Sequence, residues 1–213
     1  MAEIPLDQRE RNELCDLLLQ LGPDAPTLCE GWTTADLAAH LAIRERDPRS
    51  GPGILFGDSA FGRYTAKLQN RQKAKGFAET VDRVRSGPPW FPWRIKKLRL
   101  LINLNEYFVH HEDVRRANGM TRRTDRPDLD DALWSIVSRA GAMSARKLKP
   151  FGLEVRRPEG AAVVLRNAEK VAVLTGHPSE IALYLFGRRG AADVQISGDA
   201  EATAKLRQAQ LGI

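Results

Sequence analysis

The sequence predicts a mainly α-helical protein that ends in a small α+β module, and two observations support this prediction. Over residues 1–150, apolar residues recur at steps of three and four, as they do on the buried face of an amphipathic helix. After Pro150 the apolar residues instead form short β-branched runs between turn residues, which is typical of strands. We therefore predict a helical bundle over residues 1–150 and a small module over residues 151–213.

The helical region is divided by residues that end helices. Leu14, Leu17 and Leu18 share one face of a first helix over residues 6–21, and Gly22-Pro23 ends it. Thr33 and Asp36 have the spacing of a capping box at the start of a second helix. The glycine-rich residues 49–62 are predicted to form a long surface loop. Further helices are predicted over residues 64–85 with a break near Gly76, residues 93–118 and residues 128–149.

The C-terminal module is predicted to contain four strands and two helices. The strands are expected over residues 153–156, 161–165, 171–175 and 194–196, with the first two forming a hairpin. The helices are expected over residues 178–186 and 199–210. A module of this size buries little apolar surface by itself, so we expect it to need the helical region to cover its apolar face.

Composition and length exclude several classes of protein. A hydrophobic fraction of 42% in 213 residues is enough for a core, which argues against global disorder. The longest apolar run, residues 181–186, is far shorter than the roughly 18 residues of a membrane span. No secretory signal is visible, and two cysteines cannot form a disulfide framework. A cytoplasmic protein is therefore expected.

The net charge of +6 and the isoelectric point near 9.6 allow weak attraction to anions. The basic residues are nevertheless spread along the chain in short, interrupted clusters. A dedicated nucleic-acid-binding protein usually combines a basic stripe with a recognisable motif, and no such motif is present. Nucleic-acid binding is therefore not expected, and the basic residues are interpreted mainly as solvated surface.

The clearest chemical signal is Glu106-x-x-x-His110 on the longest predicted helix. Side chains four residues apart project from the same face, so a carboxylate and an imidazole can reach one metal ion. Asp113, three residues further on, can orient the imidazole of His110 through its other ring nitrogen. Alone, the pair is a weak signal, because Glu and His four residues apart are more often a hydrogen-bonded pair on a helix surface.

His40 strengthens the metal interpretation because it lies among alanines and leucines on a second, inward-facing helix. A buried imidazole needs a partner, and helical bundles bring ligands from facing helices together. A core histidine without a metal remains the alternative. His111 points away from His110 and is expected at the surface or between helices, and His177 is not expected to be a ligand. Cys15 and Cys29 are interpreted as small buried hydrophobic residues.

Three segments resemble the DinB-like, mycothiol-dependent maleylpyruvate isomerase-like proteins of actinobacteria. Residues 29–41, CEGWTTADLAAHL, resemble the family's N-terminal motif, in which a tryptophan turn leads into a helix with a metal-binding histidine. Glu106-x-x-x-His110-x-x-Asp113 resembles its second metal motif. Residues 183–188 and 197–199 resemble its C-terminal module, which is sterol carrier protein-like. Within this family the chain is most similar to an uncharacterised metal-binding branch.

The resemblance implies a DinB-like four-helix bundle in which His40, Glu106 and His110 bind one divalent metal, most simply zinc. Such a ligand set leaves a coordination position open, as in catalytic zinc sites. The family's chemistry implies that mycothiol is activated there and acts on a small electrophile, as in an isomerase or an S-transferase. Arg188 matches an arginine near the family's active site that can hold an anionic substrate. Its alternative role is that of a cation at a helix C-terminus.

Two departures from the family mean that the isomerase's own substrate is not expected to apply here. Residues 49–62 and the Trp90-Phe91-Pro92-Trp93 segment do not map onto the isomerase and are expected to reshape the pocket. Two alternatives to a thiol-using metalloenzyme stay open, namely a structural, non-catalytic metal and a basic regulatory or nucleic-acid-binding module. No fourth protein ligand is evident in the sequence, which favours the open, catalytic site.

Overall fold

A computed structural model describes residues 4–47, 60–88 and 96–212, and it confirms a mainly helical chain with one small sheet. The chain divides into two compact units, Met1–Thr121 and Arg122–Ile213. Most of the predicted loop at residues 49–62 and the Trp90–Trp93 segment lie outside the described residues. In the described part, no helix combines the length and apolar composition that a membrane span requires.

The described helices of the first unit are α1 (Leu6–Leu21), α2 (Thr34–Arg46), α3 (Ala60–Lys73), α4 (Phe77–Arg85) and α5 (Lys96–Ala117). The sequence signals account for their ends. Gly76 adopts a φ of 100° between α3 and α4, which is why a glycine separates these helices. Thr33 and Asp36 form the predicted capping box at the start of α2.

The core of the first unit lies between helices that are distant in sequence. α1 packs along α5 and against α4, and α2 packs against α3 and α4. The core residues are fully buried, among them Leu14, Leu18, Leu37, Leu41 and Tyr107. The segment between α1 and α2 is fixed to α5, because Leu28 donates its amide to the carbonyl of Asp113 over 3.1 Å. These contacts place the start of α2 beside the second half of α5.

The second unit is a four-stranded sheet with helices packed on it. Its strands are β1 (Gly152–Arg156), β2 (Ala162–Arg166), β3 (Val171–Thr175) and β4 (Gln195–Gly198), in the order β2-β1-β3-β4. β1 and β2 form the predicted antiparallel hairpin, while β1 and β3 run parallel. Its helices are α6 (Pro127–Ala145), a 3₁₀ turn (Arg146–Leu148), α7 (Pro178–Leu185) and α8 (Ala200–Gln208).

Helix α6 packs with the sheet unit, so the boundary between the compact units lies before this helix. α6 contacts α7 and β2, and Asp130 Oδ1 on α6 accepts a hydrogen bond of 3.0 Å from the amide of Ser179 on α7. Every residue of α7 is buried. The boundary predicted near Pro150 falls inside the second unit of this division. The predicted dependence of residues 151–213 on a helical cover stays a prediction.

This packing makes a truncation informative. A chain of residues 151–213 lacks α6 and exposes the apolar face of α7, so we expect it not to unfold cooperatively in urea. The matched chain of residues 122–213 retains α6 and is expected to show a cooperative transition by circular dichroism. Cooperative unfolding of residues 151–213 alone would contradict the expected dependence on the helical cover.

Candidate metal centre

Helix α5 presents three polar side chains on one buried face of the first unit. Glu106 and His110 lie four residues apart, and their Oε1 and Nε2 atoms are 3.4 Å apart. Asp113 is fully buried one turn beyond, and its Oδ2 lies 2.9 Å from Nδ1 of His110. The two ring nitrogens of His110 therefore face two different carboxylates.

Helix α2 brings His40 to the same carboxylate. Nε2 of His40 lies 3.4 Å from Oε1 of Glu106, and the rings of His40 and His110 meet edge to face with centroids 5.3 Å apart. The ring of Trp32 lies 5.1 Å from that of His40 and flanks the site. The structure thus brings together the three residues selected from the sequence, His40, Glu106 and His110.

The spacing of these atoms suits a metal ion better than a direct hydrogen bond. Hydrogen bonds from ring nitrogen to oxygen are usually about 2.7–3.2 Å long, whereas both contacts measure 3.4 Å. Neighbouring ligand atoms of a tetrahedral zinc ion are about 3.3–3.4 Å apart when the metal–ligand bonds are about 2.0–2.1 Å. The donor set of two imidazole nitrogens and one carboxylate oxygen is also one that zinc accepts.

The groups around the candidate ligands set their charges. Burial alone lowers the pKa of His110, but its polar contacts with Asp113, Cys29 and Glu106 raise that pKa well above its usual value. Burial alone raises the pKa of Glu106, but its polar contacts with His110 and His40 and the charge of Arg44 hold it well below its usual value. Glu106 is therefore ionised. Burial lowers the pKa of His40 and favours its neutral form, which is the form that binds metals.

Two residues near the site were not predicted to contribute. Arg44 lies one turn after His40 on α2 and donates from Nε to Oε1 of Glu106 over 2.9 Å. Arg44 follows His40 by four residues and so lies on the same face of α2, and this spacing is the sequence feature that could have indicated its position near the site. Cys29 is only partly buried, and its Sγ lies 3.3 Å from Oδ2 of Asp113. Its interpretation as a buried small hydrophobic residue therefore needs correction, because it contacts the carboxylate that orients His110. Cys29 and Asp113 are 84 residues apart, so no local sequence pattern could have indicated their contact.

The remaining histidines and Cys15 lie outside the candidate centre. His111 is buried, and its Nδ1 lies 3.2 Å from Oε2 of Glu10 on α1, so it is an interhelical residue. His177 precedes α7 in the second unit. Cys15 is fully buried, and burial raises the pKa of its thiol to about 12, as expected of a core residue.

Arg188, the predicted substrate-binding residue, lies in the second unit directly after α7. Its NH1 atom donates to the carbonyl of Phe186 over 2.8 Å. A cation that binds a carbonyl at the end of a helix is also what the helix dipole favours. The local geometry is therefore compatible with both predicted roles.

The fold and the His-Glu-His cluster, in which both histidines are buried and Glu106 is partly buried, define a mainly helical protein with a candidate metal centre. Comparison with known proteins shows what the chain is similar to. Residues 8–89 match the family model described as the mycothiol maleylpyruvate isomerase N-terminal domain. The predicted resemblance to mycothiol-dependent maleylpyruvate isomerase-like proteins is thereby confirmed. The matched stretch includes His40 and ends before Glu106 and His110.

Two solved structures share the fold over nearly the whole chain. One is a crystal structure of the mycothiol-dependent maleylpyruvate isomerase, with 18% identity, a TM-score of 0.59 and coverage of 90% of each chain. The other is a histidine-to-alanine mutant of that enzyme, with 17% identity, a TM-score of 0.54 and coverage of 91% of this chain and 93% of the other. At these identities the likeness concerns the fold. No curated protein matches the sequence.

Proposed function

We propose that the protein is a metal-dependent enzyme that uses mycothiol, an isomerase or S-transferase acting on a small, electrophilic and anionic substrate. The main support is the convergence of Nε2 of His40 and Nε2 of His110 on one oxygen of Glu106 at 3.4 Å. This spacing suits zinc, and the family model that matches residues 8–89 is named for a mycothiol-dependent activity. Zinc is the metal we propose.

The surrounding residues hold the three proposed ligands in place. Asp113 accepts from Nδ1 of His110, which fixes the ring so that Nε2 faces Glu106. Arg44 binds the same oxygen of Glu106 and keeps that carboxylate turned toward both histidines. A divalent metal held by this set would supply a positive charge that favours the deprotonated form of a bound thiol.

The finer parts of the fold prediction belong to the same proposal. We interpret the first unit as a DinB-like four-helix bundle and the sheet unit as a sterol carrier protein-like module. Arg188, in the sheet unit, is the cation that we propose to bind the anionic group of the substrate. A guanidinium group suits a carboxylate because its paired N–H groups can donate to both oxygens.

Metal analysis and a thiol titration test the proposal together. Protein purified without chelators or a nickel column is expected to contain about one divalent metal per chain. After substitution with cobalt, added mycothiol should produce a charge-transfer band in the near ultraviolet, because a thiolate then coordinates the metal. Metal without such a band would instead support the alternative function, a structural metal that stabilises the helical unit.

The role of Arg188 predicts a selective loss of activity. Replacing it with alanine is expected to lower turnover of anionic electrophiles by about 10- to 100-fold, because a charge-assisted hydrogen bond contributes about 1.5–3 kcal/mol. Metal content should not change. Conversion of the electrophile in the presence of mycothiol is measured for each anionic substrate and for its neutral methyl ester, because an isomerase would regenerate the thiol and an S-transferase would not.

Arg189 offers a matched control, because it is the neighbouring arginine and donates to the backbone carbonyl of Arg207. Arg189→Ala is expected to leave turnover nearly unchanged. Equal losses in both variants, or equal losses for esters and acids, would remove Arg188 from substrate binding.

A further inference from the structure

A second concave site lies in the first unit, away from the candidate metal centre. This basic cavity has a volume of about 310 Å³ and is formed by the end of α2, by α3 with the turn that follows it, and by α4. Such a volume is at the lower end for small-molecule sites. Its lining residues are Ala42, Ile43, Arg46, Asp47, Leu68, Arg71, Gln72, Lys75 and Arg83.

The lining divides into an apolar part and a cationic part. Ala42, Ile43 and Leu68 supply aliphatic surface, and most of the exposed lining is apolar. Four of the remaining residues carry positive charge, namely Arg46, Arg71, Lys75 and Arg83. Among the described lining residues, Asp47 is the single carboxylate, and its Oδ2 accepts a hydrogen bond of 2.9 Å from the hydroxyl of Tyr64.

The four cations have no carboxylate within ion-pair distance in the part of the chain that the structure describes. Arg46 bonds through NH2 to neutral acceptors, the carbonyls of Arg83 and Gly87 and the hydroxyl of Ser86. The Nε atom of Arg83 is buried and has no hydrogen-bond partner in the described part of the chain.

Burial and the nearby positive charge of Arg83 both lower the pKa of Arg46, although the charge of Glu45 raises it, because the two guanidinium groups repel each other. A bound anion would relieve this repulsion. Arginine is well suited to the task because it binds carboxylates and phosphates through paired donors.

We propose that the basic cavity binds a small amphiphilic anion, a carboxylate or a phosphate monoester that carries an apolar chain or ring. The aliphatic wall would contact the apolar body, and the cationic side chains would bind the charged group. The site is separate from the candidate metal centre, since none of His40, Glu106 and His110 lines it. Binding here therefore does not depend on the proposed enzymatic function.

Binding of three probes with the same chain length tests the proposal on the full-length protein. Hexanoate and hexyl phosphate carry the anion, whereas hexanol carries the same apolar chain without charge. Calorimetry or nuclear magnetic resonance titration should show at least one anion binding about 10-fold more tightly than hexanol. The tighter of the two anions identifies the preferred charged group.

Two double variants on one helix and its following turn separate a specific site from general attraction to a basic protein. Arg71→Gln/Lys75→Gln removes two lining cations that are exposed, so folding should not be affected. Arg63→Gln/Lys67→Gln removes two exposed cations that do not line the cavity and lowers the net charge equally. The first is expected to weaken anion binding about 5-fold or more, and the second less than 2-fold. Equal weakening in both, or equal affinity for hexanol and the anions, would overturn the proposal.

Discussion

Replacing Glu45 with glutamine is expected to destabilise the first unit by about 3–5 kcal/mol, because it leaves the charge of Arg11 buried without its counterion. Arg11 on α1 is 1% exposed, and its NH1 and NH2 atoms each lie 2.6 Å from an oxygen of Glu45 on α2. NH1 also donates to the carbonyl of Val84 over 2.7 Å, and the guanidinium lies 4.4 Å from the centre of the Tyr107 ring. One buried cation thus connects four helices of the unit.

Hydrogen exchange of amides in α1 and α2 provides the measurement, because it reports on the first unit separately from the sheet unit. Asp16→Asn is the control. It breaks the ion pair between Arg85 NH2 and Asp16 Oδ1, which are 2.7 Å apart, but Asp16 is 70% exposed, so a cost below about 1 kcal/mol is expected.

A double variant, Arg11→Met/Glu45→Met, removes both charges and should recover most of the lost stability. If Glu45→Gln costs no more than Asp16→Asn, the buried pair does not contribute as described. If the double variant is as unstable as the single one, the cost arises from lost packing and not from an uncompensated charge.

The local features of this fold could be predicted from the sequence because their signals are local. The break at Gly76 follows from the conformation that glycine adopts there, and the start of α2 follows from the spacing of Thr33 and Asp36. The pair Glu106 and His110 could be recognised because residues four apart share a helix face. Each of these signals lies within one turn of a helix or at its end.

The remaining features depend on which helix and strand faces pack against each other. The periodicity of apolar residues identifies the buried face of an element but not the element that covers it. The apolar face of α6 was evident, but its packing against α7 and β2 could not be inferred from its own residues. The same limit applies to Arg11 and Glu45, which are 34 residues apart and look like ordinary surface charges in the sequence. The contact between Cys29 and Asp113 spans 84 residues and was missed for the same reason.

Replacing both His40 and His110 with alanine is expected to abolish metal binding, since only Glu106 of the three proposed ligands would remain. Each single variant should lose about 10-fold or more in affinity. Asp113→Asn keeps all three ligands but weakens the acceptor for Nδ1 of His110, so a loss of about 10- to 100-fold is expected. Affinity is measured by competition with a chromophoric zinc chelator.

The other two histidines provide matched controls within the same chain. His111 is as buried as His40 but contacts Glu10 on α1, and His177 lies in the sheet unit. Their alanine variants should retain about one metal per chain. His111→Ala also controls for destabilisation, because removing a buried imidazole from α5 tests whether metal loss merely follows partial unfolding. Full metal content in the His40→Ala/His110→Ala variant, or equal loss in His111→Ala, would show that the metal is bound elsewhere or that no specific site exists.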